Sequence, residues 1–285
     1  MSRLKLNRYI DKGFQVLGIA CMSIALFILA IFLISIFSAG FSRIDWNFII
    51  SLPSRIASKA GILTAWTGTA WVLGLTAMVS IPIGIAAGVY LEEYGKKNRL
   101  ASIIEVNIAN LAGVPSIIYG LLALEIFVRM MNMGSSLLAG AMTLSLLILP
   151  ILIVATREAL KAVPKTLREA SYGLGATKWQ TVWYQVLPAA SGGILTGIIL
   201  ALSRAIGETA PLIVIGALAY VPFVPRSPMD EFTVLPMQIF NWVSRPQHDF
   251  QVNGAAAIII LLAITFVMNG IAVYLRNKWQ KRINW

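Results

Sequence analysis

The chain has 285 residues, 58% of them hydrophobic and only 12% charged, which is far more apolar than an ordinary globular domain. The apolar residues come in blocks near the roughly 20 residues needed to cross a hydrocarbon core about 30 Å thick, so a soluble domain is excluded and an all-α, polytopic membrane protein with one membrane domain is expected. The net charge of +11 is spread over loops beside these blocks without a basic groove, which argues against nucleic acid, and the lone Cys21 lies in an apolar run, which leaves no disulfide and no metal site.

In chain order, Arg3, Lys5, Arg8 and Lys12 form a basic tail (1–13) ahead of an apolar run at 14–41. That run exceeds the roughly 7 to 15 residues of a secretory h-region and reads as an uncleaved first span, although Ser38 and Gly40 also make a small-x-small pattern. Trp46 and Trp66 suit interfacial depth, and Pro53 marks a turn between them. The second span is expected at 64–91, with Pro82 inside, followed by a charged loop with Glu92, Glu93, Lys96, Lys97 and Arg99. The third, 103–128, carries Glu105, the sequence GVPSIIYG at 113–120, and Glu125 one helical turn before Arg129, spaced for an interfacial ion pair. The fourth is expected at 137–155 with Pro150, the fifth at 193–220 and the sixth at 254–274, within a membrane domain of 14–275 and before a basic tail at 276–285. Between spans five and six, the loop 221–253 suits contact with a partner or simple connection, with Asp230 and Glu231 either meeting basic residues of a partner or solvated; His248 lies on it and is read as solvated.

Six spans place both termini on one side. Sixteen of the 23 Lys and Arg fall in the two tails, the loop after span two and the segment 157–178, whereas six fall in the opposite loops; Arg204 alone is inside a span. The positive-inside rule then makes the termini cytoplasmic. Glycines and prolines within the spans, among them Gly84, Gly88, Gly120, Gly197 and Pro211, read first as close-packing positions.

Between spans four and five lies a charged island, 163–188, within the cytoplasmic loop 157–188. Thr166 with Glu169 and Thr177 with Gln180 both fit the capping-box pattern, and Gly173 and Gly175 fall between them, so two short helices joined by a bend are expected. Ala170 and Ser171 offer a small-residue face, Trp179 and Trp183 stand one turn apart as amphipathic anchors, and Glu169 can pair with a basic residue of a partner. The alternative for this stretch is an ordinary amphipathic interfacial helix pair.

The second singular feature is SRAIGETAPL at 203–212. Arg204 is expected about ten residues into span five, near mid-membrane, where an ionised group costs at least ~2.5 to 3.5 kcal/mol and therefore faces a partner or an aqueous path. Glu208 is its expected partner, either in a structural salt bridge or in a pathway, with the hydroxyls of Ser203 and Thr209 beside the pair.

Glu169-Ala170-Ser171, Gly175 and Leu187-Pro188 follow the spacing E-A-A-x3-G-x9-I-x-L-P, and so the chain resembles the permease subunits of ABC importers. It departs at Ser171, where alanine is usual, and at Gln185, where isoleucine is. SRAIGETAP together with GVPSIIYG resembles, more narrowly, the phosphate-importer permeases of the PstA type, over nearly the whole chain. The resemblance implies a homologous second permease, two ATPase subunits, an external phosphate-binding protein and inorganic phosphate as substrate, with the island as the coupling helix that enters a groove of the ATPase. No G-x-x-x-x-G-K-[ST], nucleophile-base pair, metal cluster or GxGxxG is present, so neither an enzyme nor a cofactor is expected. The rival readings are a permease for molybdate or sulfate, a self-sufficient ion-coupled transporter using Arg204 and Glu208, and a non-transporting scaffold.

Overall fold

The computed structural model describes residues 3–95, 99–217 and 220–280; Lys96, Lys97, Lys281 and Arg282 of the charge count lie outside the described residues. Helix α1 (Arg3–Gly40) is followed by the short α2 (Trp46–Ile50), and α3 (Leu63–Val89) runs on through a π turn (Tyr90–Tyr94). Then come α4 (Arg99–Leu111), α5 (Ser116–Ala123) with a π extension (Leu124–Met130), and α6 (Leu137–Lys161). Helix α7 (Lys165–Gly173) precedes α8 (Lys178–Thr181), a π turn (Val182–Val186) and α9 (Leu187–Ile206), which form one continuous path. The chain ends with α10 (Ala210–Val214), α11 (Leu235–Val243) and α12 (His248–Gln280). Among the described residues, five helical runs are long and apolar enough to cross a membrane: 10–43, 63–94, 137–161, 178–206 and 248–278.

The third expected crossing, 103–128, is not one helix. It divides between α4 and α5 at 112–115, because Pro115 has no N–H to give the ladder and its own backbone (φ −54°, ψ 133°) suits the start of a new helix. At 13 residues, about 20 Å, α4 alone is too short to cross. The Tyr119 hydroxyl donates to the Leu111 carbonyl at 2.8 Å and so bridges the break.

The fifth crossing is displaced from the expected 193–220. It starts at Lys178 and stops at Gly207, because the 20 predominantly apolar and small residues of α9 already suffice to span. Pro188 does not stop it, since it sits where the π turn has already interrupted the regular ladder.

Helices α3 and α6 run parallel: Gly84 faces Leu152, Gly88 faces Thr156, and the Thr76 hydroxyl donates to Ala141 at 3.3 Å. Helix α9 is antiparallel to α6, with Gly193 against Ala159 and Gly197 against Ala155, and α12 is antiparallel to α9. A Cβ on Gly84 or Gly88 would come within 2.7 Å of the neighbouring side chain, so these positions permit close helix approach, the packing role expected of them. The largest buried cluster joins α3, α5, α6, α9 and α10 with Phe232 and Val234 of the loop before α11. That loop is no idle connection: the Leu137 and Leu138 amides, free at the start of α6, donate to the Asp230 and Pro228 carbonyls at 3.0 and 2.8 Å. Asp230 itself accepts from the amides of Arg226 and Ser227, contrary to the expectation of mere solvation, because its loop folds into a tight turn.

Candidate functional site

Two places carry the singled-out residues, one at each end of α9. At the first, α7 begins after Pro164 with no side-chain cap, and Thr166 is already inside the helix, so the expected Thr166–Glu169 capping box does not form. The second box does form: the Thr177 amide donates to Gln180 Oε1 at 2.8 Å and the Gln180 amide to Thr177 Oγ1 at 3.3 Å. The second helix of the island is therefore the beginning of the fifth crossing and not a separate short helix. Gly175 has φ +85°, a left-handed conformation that glycine adopts freely, and this turns the chain from α7 into α8.

Glu169, Ala170, Gly175 and Pro188 are exposed and Leu187 is half-buried. Leu174 is 91% exposed at the tip, and the exposed Trp179 and Trp183 stack at 5.4 Å between centroids. Ser171 has an internal role that its sequence position does not reveal: its hydroxyl hydrogen-bonds Thr181 at 2.9 Å and ties α7 to α8.

Sequence reasoning missed the groups that hold this tip. Arg168 donates from Nη2 and Nε to Glu93 Oε1 at 2.7 and 3.2 Å, and it also donates to the Val163 and Leu160 carbonyls at 2.8 and 3.0 Å. The two side chains are only 17% and 8% exposed. Arg157, on α6, lies 2.9 Å from Glu105 of α4 and 3.5 Å from Glu92. The signal was present in the sequence as a pair of carboxylates, Glu92 and Glu93, on an otherwise basic face.

At the other end of α9, Arg204 Nε donates to Glu208 Oε1 at 3.4 Å. The pair exists as expected. Glu208, Thr69, Val72 and Leu144 line one small cavity of about 10 Å³, room for a single water. Leu144 is seven residues from the start of α6, about 10 Å of rise, and the register of Gly193 against Ala159 and Gly197 against Ala155, continued along α9, sets Arg204 level with Ile148, so the pair lies beside the middle of α6. Arg204 sits in the last turn of α9, where a cation complements the helix dipole, while Glu208 lies beyond the helix end at Gly207.

Ser203 does not join the pair; its hydroxyl is shared between the Ile199 carbonyl at 2.7 Å and Asn269 of α12 at 2.6 Å. Thr209 is the N-cap of α10 and makes no side-chain cap bond. Helix α10 backs tightly on α5, where a Cβ on Gly120 would come within 2.7 Å of Pro211 Cα, so the broken third and fifth crossings are packed together beside Arg204. Glu125 and Arg129 pair at 3.0 Å in the exposed position expected of them. Among the described residues no group of His, Cys, Asp and Glu could hold a metal ion.

The family described as "Binding-protein-dependent transport system inner membrane component" matches residues 80–281. The chain is 32% identical over 241 residues to the probable ABC transporter permease protein YqgI of Bacillus subtilis, covering 80% of this chain and 82% of the relative. It is 36% identical over 220 residues to the phosphate transport system permease protein PstA 1 of Mycobacterium tuberculosis, covering 75% and 70%. In fold it is similar to a chain of a bacterial alginate ABC transporter solved in complex with an alginate pentasaccharide-bound periplasmic protein, with a TM-score of 0.71 at 14% identity over 95% of this chain and 96% of that one. A match over more than half of the chain, together with relatives above 30% identity across most of their length, shows that the chain belongs to the binding-protein-dependent transport system inner membrane components.

Proposed function

We propose that this chain is the permease subunit of an ATP-driven importer of inorganic phosphate, providing half of the translocation pathway. The observation that carries the reading is the Arg204–Glu208 pair at the broken end of α9, in a chain whose relatives include a phosphate transport permease. The Arg204 side chain is 42% exposed, so its guanidinium fork is open to an oxyanion, while Glu208 is 18% exposed beside it. A protonated phosphate donates a hydrogen bond to the carboxylate; fully ionised sulfate has no proton to give and is repelled. The pair thus suits transient passage, with first selection left to an external phosphate-binding protein.

The exposed tip of α7, with Glu169, Ala170, Gly175 and Leu174, supports docking of an ATPase subunit, one on this chain and one on a homologous second permease. With no P-loop in the chain, hydrolysis belongs to that ATPase and this subunit transports without catalysing. The charge bias supports a multi-pass protein of the plasma (inner) membrane with α7 and both termini on the cytoplasmic side.

Uptake of labelled phosphate into membranes holding this chain and its companions tests the reading. Arg204→Gln and Glu208→Gln are expected to lower uptake at least about tenfold with assembly unchanged, since a charged hydrogen bond is worth about 1.5–3 kcal/mol and about 1.4 kcal/mol is a factor of ten. Excess sulfate or molybdate should not compete. Unimpaired uptake in both variants, or no phosphate uptake by the parent complex, overturns it.

A further inference from the structure

The ion-pair clamp at the α7 end lies away from the anion path at Arg204, and its side chains are turned inward from the exposed docking surface, at 17% and 8% exposure. The covalent connection from α7 to α9 is thin: it passes through Gly175 at φ +85° and is reinforced by the Ser171–Thr181 hydrogen bond. The Arg168 guanidinium makes a broader connection. It reaches Glu93, on the π turn that ends α3, and the Leu160 and Val163 carbonyls, where α6 ends. A cation at that helix end also complements the dipole of α6. Next to it, Arg157 joins α6 to Glu105 on α4 and approaches Glu92.

A buried ion pair is a poor source of stability compared with apolar packing, and its best-attested use is to fix one register of the elements it joins. Here those elements are the docking helix and the ends of two membrane spans. Arginine suits the position because its planar fork serves several acceptors at once, which a lysine ammonium on a flexible stem does not.

We infer that the Glu93–Arg168 pair is a transmission clamp: it makes α7, α3 and α6 move as one body when an ATPase pushes on α7, so that nucleotide-driven motion reaches the far end of the bundle through spans two and four as well as along α9. The inference rests on the proposed ATPase-coupled reading but not on phosphate as the cargo. Glu93 and Arg168 are positioning residues, with no contact to the transported ion.

The test uses the complete purified complex in liposomes, with the chain carrying Cys21→Ser and Gly207→Cys. Gly207 is exposed and its nearest neighbour to an added Cβ is the Arg204 carbonyl at 3.9 Å, so the probe position tolerates a side chain. The readout is the ATP-dependent change in labelling of that cysteine by a membrane-impermeant thiol reagent, measured beside ATP hydrolysis and retention of the ATPase. In Arg168→Lys and Glu93→Gln the ATPase is expected to remain bound and to hydrolyse ATP, while the ATP-dependent labelling change falls about tenfold, a coupling loss of ordinary size for linked sites. Glu158→Gln, which breaks the exposed Lys161–Glu158 pair on the same face, should leave it unchanged. An undiminished labelling response in both clamp variants overturns the inference. So does loss of the ATPase from both, because the clamp would then serve docking and not transmission. Failure of the parent complex to take up phosphate would refute the cargo and leave this labelling comparison intact.

Discussion

Arg43 offers the sharpest test of how the end of the bundle opposite α7 is held. Its guanidinium donates to Asn253 Oδ1 at 3.0 Å, to the Ser58 and Ala60 carbonyls at 3.0 and 3.1 Å, and to Asp45 at 3.2 Å, and it lies 4.8 Å from the Phe48 ring centroid. The side chain is 18% exposed, Asn253 is 1% exposed and Ala60 is fully buried. Arg43→Ala therefore removes several charge-assisted bonds and leaves buried acceptors on Asn253 and Ala60 without a partner, at about 1–3 kcal/mol for each orphan. Two such orphans give a loss of about 4 kcal/mol, which at roughly 2–4 °C per kcal/mol for a chain of this size is a fall of about 10 °C in Tm. The assay is thermal unfolding of the purified protein in detergent, run as a double-mutant cycle with Asn253→Ala. A coupling energy of about 1–3 kcal/mol is expected between the two sites. A Tm within about 2 °C of the parent for Arg43→Ala, or strict additivity with Asn253→Ala, would refute the reasoning.

Gly175→Ala should destabilise the α7–α8 turn by about 1–2 kcal/mol, the penalty for an L-residue in the left-handed region, because nothing lies within 4 Å of the added methyl and strain is the only cost. Retention of the ATPase on purification is the readout, and Gly175→Asn, which tolerates that conformation, should retain more of it than Gly175→Ala; equal retention would argue against a strained turn. The amides of Arg226 and Ser227, which donate to Asp230, hold its carboxyl below the usual Asp value. A lowered folded value means that this contribution to loop order is present above the usual value and is lost as pH falls through the lowered one. Protection of the Arg226 and Ser227 amides against exchange, taken relative to the intrinsic rate at each pH, should accordingly fall only in acid, and Asp230→Asn should flatten that pH dependence; a profile identical in both proteins would count against it.

The all-α membrane architecture was legible because apolar blocks of membrane-spanning length need no tertiary information to be recognised. The Arg204–Glu208 pair was legible for a similar reason, since two opposite charges one turn apart in an apolar run each need a partner and lie within reach of one another. What could not be read was where a long apolar stretch starts and stops being helix. Residues 207–217 are as apolar as those of α9, yet they turn at Gly207, form the five-residue α10 and turn again at Gly216, which has φ +88°. Their packing on α5 decides this, and that contact is not local in sequence. The Glu93–Arg168 clamp was hidden for the same reason: 75 residues separate its partners, and either one alone looks like a loop charge. Thr166 shows the opposite failure, a motif complete in sequence that goes unused because Pro164 starts the helix before it.

The displaced register of span five changes how its two functional ends relate. From Lys178 to Ile206 the helical path is continuous for 29 residues, about 43 Å at 1.5 Å per residue, and a glycine turn bounds it at each end, Gly175 and Gly207. A rod between two breaks moves as a unit, so displacement at its α7 end reappears at the far end with little loss. Arg204 is on the rod, whereas Glu208 is off it, on the segment that backs against α5 through Gly120 and Pro211. On the proposed reading, motion of the rod changes the separation of this pair directly, and a link already as long as 3.4 Å needs little displacement to open. Opening frees guanidinium donors for an anion at the moment the rod moves, and closing returns the carboxylate to them as a competitor. A fixed pair within one rigid helix, as the expected 193–220 span would have made it, has no such means of responding to the ATPase.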